Sequence, residues 1–171
     1  MEYKHNYSYD DLIKVVDLLD KSISKLIKKD KHLIQTKAGE LTINHRLAIY
    51  LENNLPKKYK TFNVDCEYFR DITNENATKK NRKESNGKNP VPDIIIHKRG
   101  QNFPTNYIYL EAKRETSTEK DISKIQSFIK DKYCYKFGVY IRYFEEKDFI
   151  LYDIYYNEDV IEKIIKGRIR K

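Results

Sequence analysis

The stretch that most constrains this chain is residues 89–114, NPVPDIIIHKRGQNFPTNYIYLEAKR. Two apolar runs, IIIH and YIYL, stand on either side of RGQNFPT, a connection with the glycine and proline that chain reversals use. They read as two paired antiparallel strands, and pairing decides which residue meets which. Side chains alternate between the faces of a strand. Asp93, Ile95 and His97 therefore share one face of the first strand, and Tyr107, Tyr109, Glu111 and Lys113 share one face of the second. The centre of the turn lies near Gln101 or Asn102, and a register centred on Asn102 sets Asp93 directly across from Glu111. Opposed residues have Cβ atoms about 4.5–5.5 Å apart. Two carboxylates that close repel unless a cation lies between them. Lys113 is one candidate, and a hard divalent metal with oxygen ligands is the better one. The plainer alternative is a hairpin salt bridge from Lys113 to Asp93 or Glu111, with no metal.

The rest of the chain supplies elements to surround such a hairpin. DDLIKVVDLLDKSISKLIKKDK repeats Leu12, Val16, Leu19, Ile23 and Leu26 at helical spacing, with Asp10 and Asp11 in its first turn and Lys25, Lys28 and Lys29 in its last. ELTINHRLAIYLENNL is a second helix, closed by Pro56. FNVDCEYF alternates as a strand. TSTEKDISKIQSFIKD is a helix opened by Thr116 and Glu119 as a capping box. KFGVYIRYF and DFILYDIYY are further strands, and DVIEKIIKGRIRK reads as a terminal helix with a basic end. The expected order is α-α-β-β-β-α-β-β-α, an α/β domain spanning 1–171 with a central mixed sheet of about five strands flanked by helices.

Composition narrows the partners. Of 171 residues, 34 are Lys or Arg and 26 Asp or Glu, giving +8, while 39% are hydrophobic, enough to fold one domain. A basic folded domain suits a polyanion, nucleic acid before an anionic membrane, although a basic protein with no such partner is the bland alternative. The N-terminal MEYKHNYSYDD lacks the apolar segment of a secretory signal, and no window is apolar enough to span a bilayer. Cys66 and Cys134 lack metal-ligand spacing and read as reduced core thiols of a cytoplasmic protein. Neither a phosphate-binding P-loop, a GxGxxG fingerprint nor a GxSxG elbow is present.

The tripeptide E-x-K occurs three times, at Glu2–Lys4, Glu111–Lys113 and Glu145–Lys147. Only the middle copy ends an alternating apolar strand and follows a Pro-Asp strand start at hairpin distance. Pro92-Asp93 followed by Glu111-Ala112-Lys113 resembles the PD-(D/E)xK nuclease superfamily, the restriction-endonuclease-like fold. HRLAIYLE, VDCEY, PDIIIHKRG and YLEAKR extend the resemblance to bacterial members of that superfamily. The resemblance implies a core of order α-β-β-β-α-β over residues 40–143. Outside it lie a helical extension, 1–39, and a C-terminal strand and helix, 144–171. It also implies that Asp93 and Glu111 bind Mg²⁺, for which Mn²⁺ can substitute, and that Lys113 assists the attacking water. The chemistry agrees, since a metal on Asp93, Glu111 and the Ala112 carbonyl can activate water and clamp phosphate oxygens.

Many superfamily members add an acid from the first core helix. Stepping about 100° per residue from Glu40 brings Leu47 and Leu51 within about 20° of it, whereas Glu52 lies about 120° round. Glu40 is therefore the choice, its alternative being a carboxylate that favours the helix N-terminus. Glu67, Lys124 and Gln126 are accessory candidates, each with a solvent-facing alternative. His45 and Arg46 flank the packing stripe, Arg46 as a phosphate contact or a packing residue; His97 reads as structural. Lys79, Lys80, Arg82, Lys83 and Lys88 in a long polar segment, and Arg168, Arg170 and Lys171 at the end, are phosphate-contact candidates or a solvated face. The expectation is a Mg²⁺-dependent endonuclease acting on nucleic acid, DNA before RNA, with self-association into a homodimer left open. The alternative is a non-cleaving nucleic-acid-binding module or partner subunit of the same fold.

Overall fold

The computed structural model describes residues 5–68, 91–101, 104–114, 119–130, 133–144, 149–156 and 167–168. Its backbone is a mixed sheet with two helices on one face and one on the other. Helix α1, Tyr9–Gln35, starts where the Ser8 side chain accepts a hydrogen bond from the Asp11 amide (3.1 Å), which satisfies one of the free first-turn donors. The helix does not end in the expected lysine-rich turn. It continues through a kink at Asp30, so that Ile34 prolongs the buried stripe and His32 is the basic residue of the last turn. Helix α2, Glu40–Asn54, buries Ile43, Leu47 and Leu51 and ends before Pro56.

The strands are β1 (Asn63–Cys66), β2 (Ile94–His97), β3 (Ile108–Arg114), β4 (Phe137–Phe144), β5 (Phe149–Tyr155) and β6, of two residues (Gly167–Arg168), lying side by side in chain order. Every neighbouring pair is antiparallel except β3 and β4, which run parallel. A parallel pair needs a long crossover, and helix α3, Glu119–Lys130, lies between these two strands in the chain. Among the described residues of 40–144 the order is thus helix, three strands, helix, strand, with a short 3₁₀ turn at Lys57–Tyr59.

Strand alternation divides the core into two layers. Ile94, Ile96, Ile108, Leu110, Val139 and Ile141 pack toward α1 and α2, while Ile95, Tyr109 and Tyr140 pack toward Ile125, Phe128 and Ile129 of α3. α3 comes closest to the sheet at Gly138, where a Cβ would lie 2.3 Å from Ile125 Cγ2. Only a glycine admits the helix to that depth.

Three local expectations are corrected. Tyr107 precedes β3 rather than sharing the face of Tyr109, and stacks on Tyr59 (4.0 Å between centroids) in the α1/α2 layer. The first strand stops at Cys66 because Glu67 turns to φ +48°, outside the extended region. Gly167 and Arg168, expected in a terminal helix, pair instead with Tyr152 and Leu151. The remainder of that segment lies outside the described residues, as does Thr116 of the expected capping box. Cys66 and Cys134 are free thiols. Among the described residues no helix is long and apolar enough to cross a membrane.

Candidate active site

The β2–β3 register pairs Ile94 with Leu110 and Ile95 with Tyr109. This is the register a turn centred on Asn102 demands, and it carries Asp93, one residue before β2, to the position opposite Glu111. Asp93 is fastened there: its Oδ2 accepts the Ala112 amide hydrogen at 2.8 Å. Glu111 lies two residues beyond Tyr109 on the same face, and Tyr109 donates its hydroxyl hydrogen to Glu111 Oε1 (2.5 Å). Glu111 is 1% exposed, an environment that disfavours its charge unless partners compensate it.

The principal partner comes from α3. Lys124 Nζ lies 2.8 Å from Glu111 Oε1 and donates to the Val91 carbonyl at 2.6 Å. Lys113, by contrast, takes up neither arm of the alternative hairpin salt bridge. Its ammonium pairs with Glu40 Oε2 at 3.4 Å, and Glu40 Oε1 accepts the Arg114 amide at 3.2 Å. The first residue of α2 is thus pinned to the end of β3, on the side where the Leu47 and Leu51 stripe calls for an acid. Asp93, Glu111, Lys113, Glu40 and Lys124 therefore gather at one end of the central strands.

Burial dominates the electrostatics. It pushes the Glu111 carboxyl up to about 7, with Asp93 adding repulsion and Lys124 and Tyr109 opposing it. Asp93 is raised as well, by burial first, against the Ala112 amide and Lys113. Burial would lower the Lys113 ammonium, yet Asp93, Glu40 and Glu111 outweigh it and hold its pKa above the ordinary value. The two central carboxylates are thus short of positive charge even with Lys124 in contact.

Among the described residues no group of three or more His, Cys, Asp or Glu side chains stands ready for a metal ion. A metal here would rest on two side chains, Asp93 and Glu111, with the Ala112 main-chain carbonyl as third donor. That all-oxygen set, at a place with unmet negative charge, suits a hard divalent cation and not a soft one. Such a cation would share Glu111 with Lys124 or displace it.

The other sequence candidates scatter. Glu67 is exposed beyond the end of β1, where its amide donates to the Asp93 carbonyl at 3.3 Å. Arg46 is committed to Asp30 (3.2 Å) and to the Tyr50 hydroxyl (2.9 Å) between α1 and α2. Gln126 is half-buried on α3 without a hydrogen bond to the described site residues, and His45 is exposed. His97 is buried with Nε2 2.9 Å from Asp65, which Arg99 also holds; burial lowers its pKa against the pull of Asp65. Lys79, Lys80, Arg82, Lys83, Lys88, Arg170 and Lys171 lie outside the described residues. The hydroxyl of Tyr109 went unnoticed in the sequence, although its position two residues before Glu111 on an alternating strand was signal enough.

Comparison of the chain with family models, with curated proteins and with solved structures yields no match.

Proposed function

We propose that this chain is a metal-dependent nuclease of restriction-endonuclease-like fold, hydrolysing phosphodiester bonds of nucleic acid, DNA before RNA. One observation carries the reading: the strand register opposes Asp93 to Glu111, with Lys113 on the next outward position of β3 and Glu40 against it. Mg²⁺ or Mn²⁺ on Asp93, Glu111 and the Ala112 carbonyl would supply Lewis acidity to the attacking water and the phosphate. The chain's own groups do the rest. Asp93, fixed by the Ala112 amide, keeps its carboxylate aimed across the hairpin. Lys113 carries a proton at all physiological pH values, since its neighbours raise its pKa, and can orient the water and offset charge growing on the phosphate. Glu40 steadies that ammonium. Glu111 itself is buried, which would strengthen its hold on a cation.

The observation that favours a second reading is Lys124, an internal cation already paired with Glu111. A protein that keeps that pair would hold nucleic acid without cutting it. Incubating the purified chain with supercoiled plasmid, single-stranded DNA and RNA, with Mg²⁺ or with EDTA, separates the two. Cleavage should require Mg²⁺ and fall by orders of magnitude in Lys113→Ala while affinity changes little. Binding without cleavage in both Mg²⁺ and Mn²⁺ would favour the second reading, and an active Lys113→Ala protein would refute the role given to this lysine.

A further inference from the structure

The face of the sheet that carries Glu111 does not end at β3. Register across the next two strands sets Glu111 beside Tyr140 and Tyr140 beside Asp153, while Lys113 stands beside Arg142. Residues level with one another on neighbouring strands point to the same face, and those strands lie about 4.8 Å apart. Two rows result. The inner row runs Asp93, Glu111, Tyr140, Asp153; the outer row begins Lys113, Arg142.

Exposure grades from one row to the other. The side chains of Glu111 and Asp153 are 2% and 7% exposed, those of Lys113 and Arg142 are 35% and 18%. Arg142 leans back so that Nη2 donates to Asp153 Oδ2 at 2.6 Å. Asp153 thus holds one corner of the guanidinium, while Nε is buried and meets no hydrogen-bond partner among the described residues. The ion pair is therefore not the two-pronged fork that arginine and a carboxylate form when each exists only for the other. Stability alone is a poor reason to keep it, because a buried ion pair contributes little that an apolar pair of similar volume would not.

We infer that Arg142 is a phosphate-binding residue of this site, held by Asp153 to grip the strand's phosphate next to the one hydrolysed. The inference rests on the phosphodiesterase reading and assigns it a residue that the hairpin motif does not contain. Arginine suits this role because it keeps its charge when half-buried and meets a phosphate through several donors at once. Its place one strand over from Lys113 gives the polymer a second point of attachment, so the scissile phosphate is positioned from two sides. Asp153 touches no substrate; it is a positioning residue.

Fluorescence anisotropy with a labelled DNA duplex, in Ca²⁺, reads affinity and its salt dependence, and cleavage in Mg²⁺ reads turnover. A charged hydrogen bond lost from the phosphate should weaken binding of Arg142→Gln about tenfold or more. Its log-log salt slope should fall by about 0.9, one phosphate contact on duplex DNA. Turnover at saturating substrate should fall too, though by less than in Lys113→Ala, since one of the two points that position the scissile phosphate is gone. Asp153→Asn should weaken binding with the slope kept, since the guanidinium remains but is no longer held. If Arg142→Gln does not fold, the double variant Arg142→Met/Asp153→Leu removes the pair without leaving a buried charge, and should show the same loss of slope. A purely structural pair would lower the melting temperature and leave affinity and slope unchanged, which would overturn the inference while wild-type cleavage left the nuclease reading standing. A wild type that neither binds nor cuts nucleic acid would overturn both.

Discussion

Replacing Glu111 with glutamine should stabilise the metal-free protein at alkaline pH and do nothing at acid pH. The folded state holds the Glu111 proton up to about 7, because burial and Asp93 disfavour its charge. The unfolded chain releases it at about 4.3. A raised folded pKa means that the stability this group contributes is fully present below the unfolded value and is lost as pH rises through the folded one. At about 1.36 kcal/mol for each pH unit between the two values, the cost above pH 8 is about 3–4 kcal/mol. The value of about 7 already includes the pull of Lys124 and Tyr109, and glutamine keeps an oxygen for the Tyr109 hydroxyl. A gain of about 3–4 kcal/mol is a rise of about 6–16 °C in melting temperature for a chain of this size. Thermal unfolding in EDTA at pH 4, 5, 6 and 8 measures it; the two proteins should converge at pH 4, below the unfolded value, and the gap should already be about 1 kcal/mol at pH 5. If they differ equally at all four values, or if the glutamine variant is the less stable at pH 8, then burial does not govern this carboxylate and the electrostatic account of the site is wrong.

Asp93→Ala should abolish Mg²⁺ binding by calorimetry and, by orphaning the buried Ala112 amide, cost about 1–3 kcal/mol in urea unfolding; retained metal affinity would remove Asp93 from the donor set. Gly138→Ala drives a methyl to 2.3 Å from Ile125 Cγ2 and 2.8 Å from Ile129 Cδ1, so α3 must shift, at about 1–3 kcal/mol. Because Lys124 rides on that helix, cleavage should fall with stability, and an unchanged melting curve would show that α3 packs less tightly than described. Neutralising Lys79, Lys80, Arg82, Lys83 and Lys88 should weaken binding to all sequences alike and flatten the salt dependence by about 0.9 per lost contact on duplex DNA, with turnover at saturation kept. An unchanged slope would return these residues to a solvated face.

What the sequence disclosed and what it hid follow from the range of the forces involved. Alternation and turn position are local, and together they specify a strand register, because a slip of one residue would turn Asp93 and Glu111 to opposite faces. The Glu40 stripe was legible for the same reason, since Leu47 and Leu51 recur at helical spacing beside it. Lys124 was harder. Helix α3 has lysines at 120, 124 and 130, and which of them reaches Glu111 depends on how deep the helix sits at Gly138. Arg142 and Asp153 depend on the β4–β5 register, which no hairpin signal of the strength of RGQNFPT announced. Gly167 and Arg168 misled because DVIEKIIKGRIRK has helical spacing, whereas a glycine costs about 1 kcal/mol inside a helix and β5 offered these two residues an edge to pair with.

The unequal layers on the two sides of the sheet have a mechanical meaning. On one side α1 and α2 merge with the strands into a cluster running from Leu12 to Ile154, a stiff jaw that carries Glu40. On the other side a helix of 12 residues rests on Ile125, Phe128 and Ile129, with Phe128 stacked on Tyr109 at 4.2 Å. This is the compliant jaw, and Lys124 is mounted on it. A cation that replaced Lys124 at Glu111 would have only to tilt the compliant side, while the strand ends and Glu40 kept their alignment. Elements with fewer buried apolar residues open at lower free energy than the larger core opposite them. The amides of α3 should therefore exchange with deuterium before those of α2, and the site gives way along the one direction in which it has something to release.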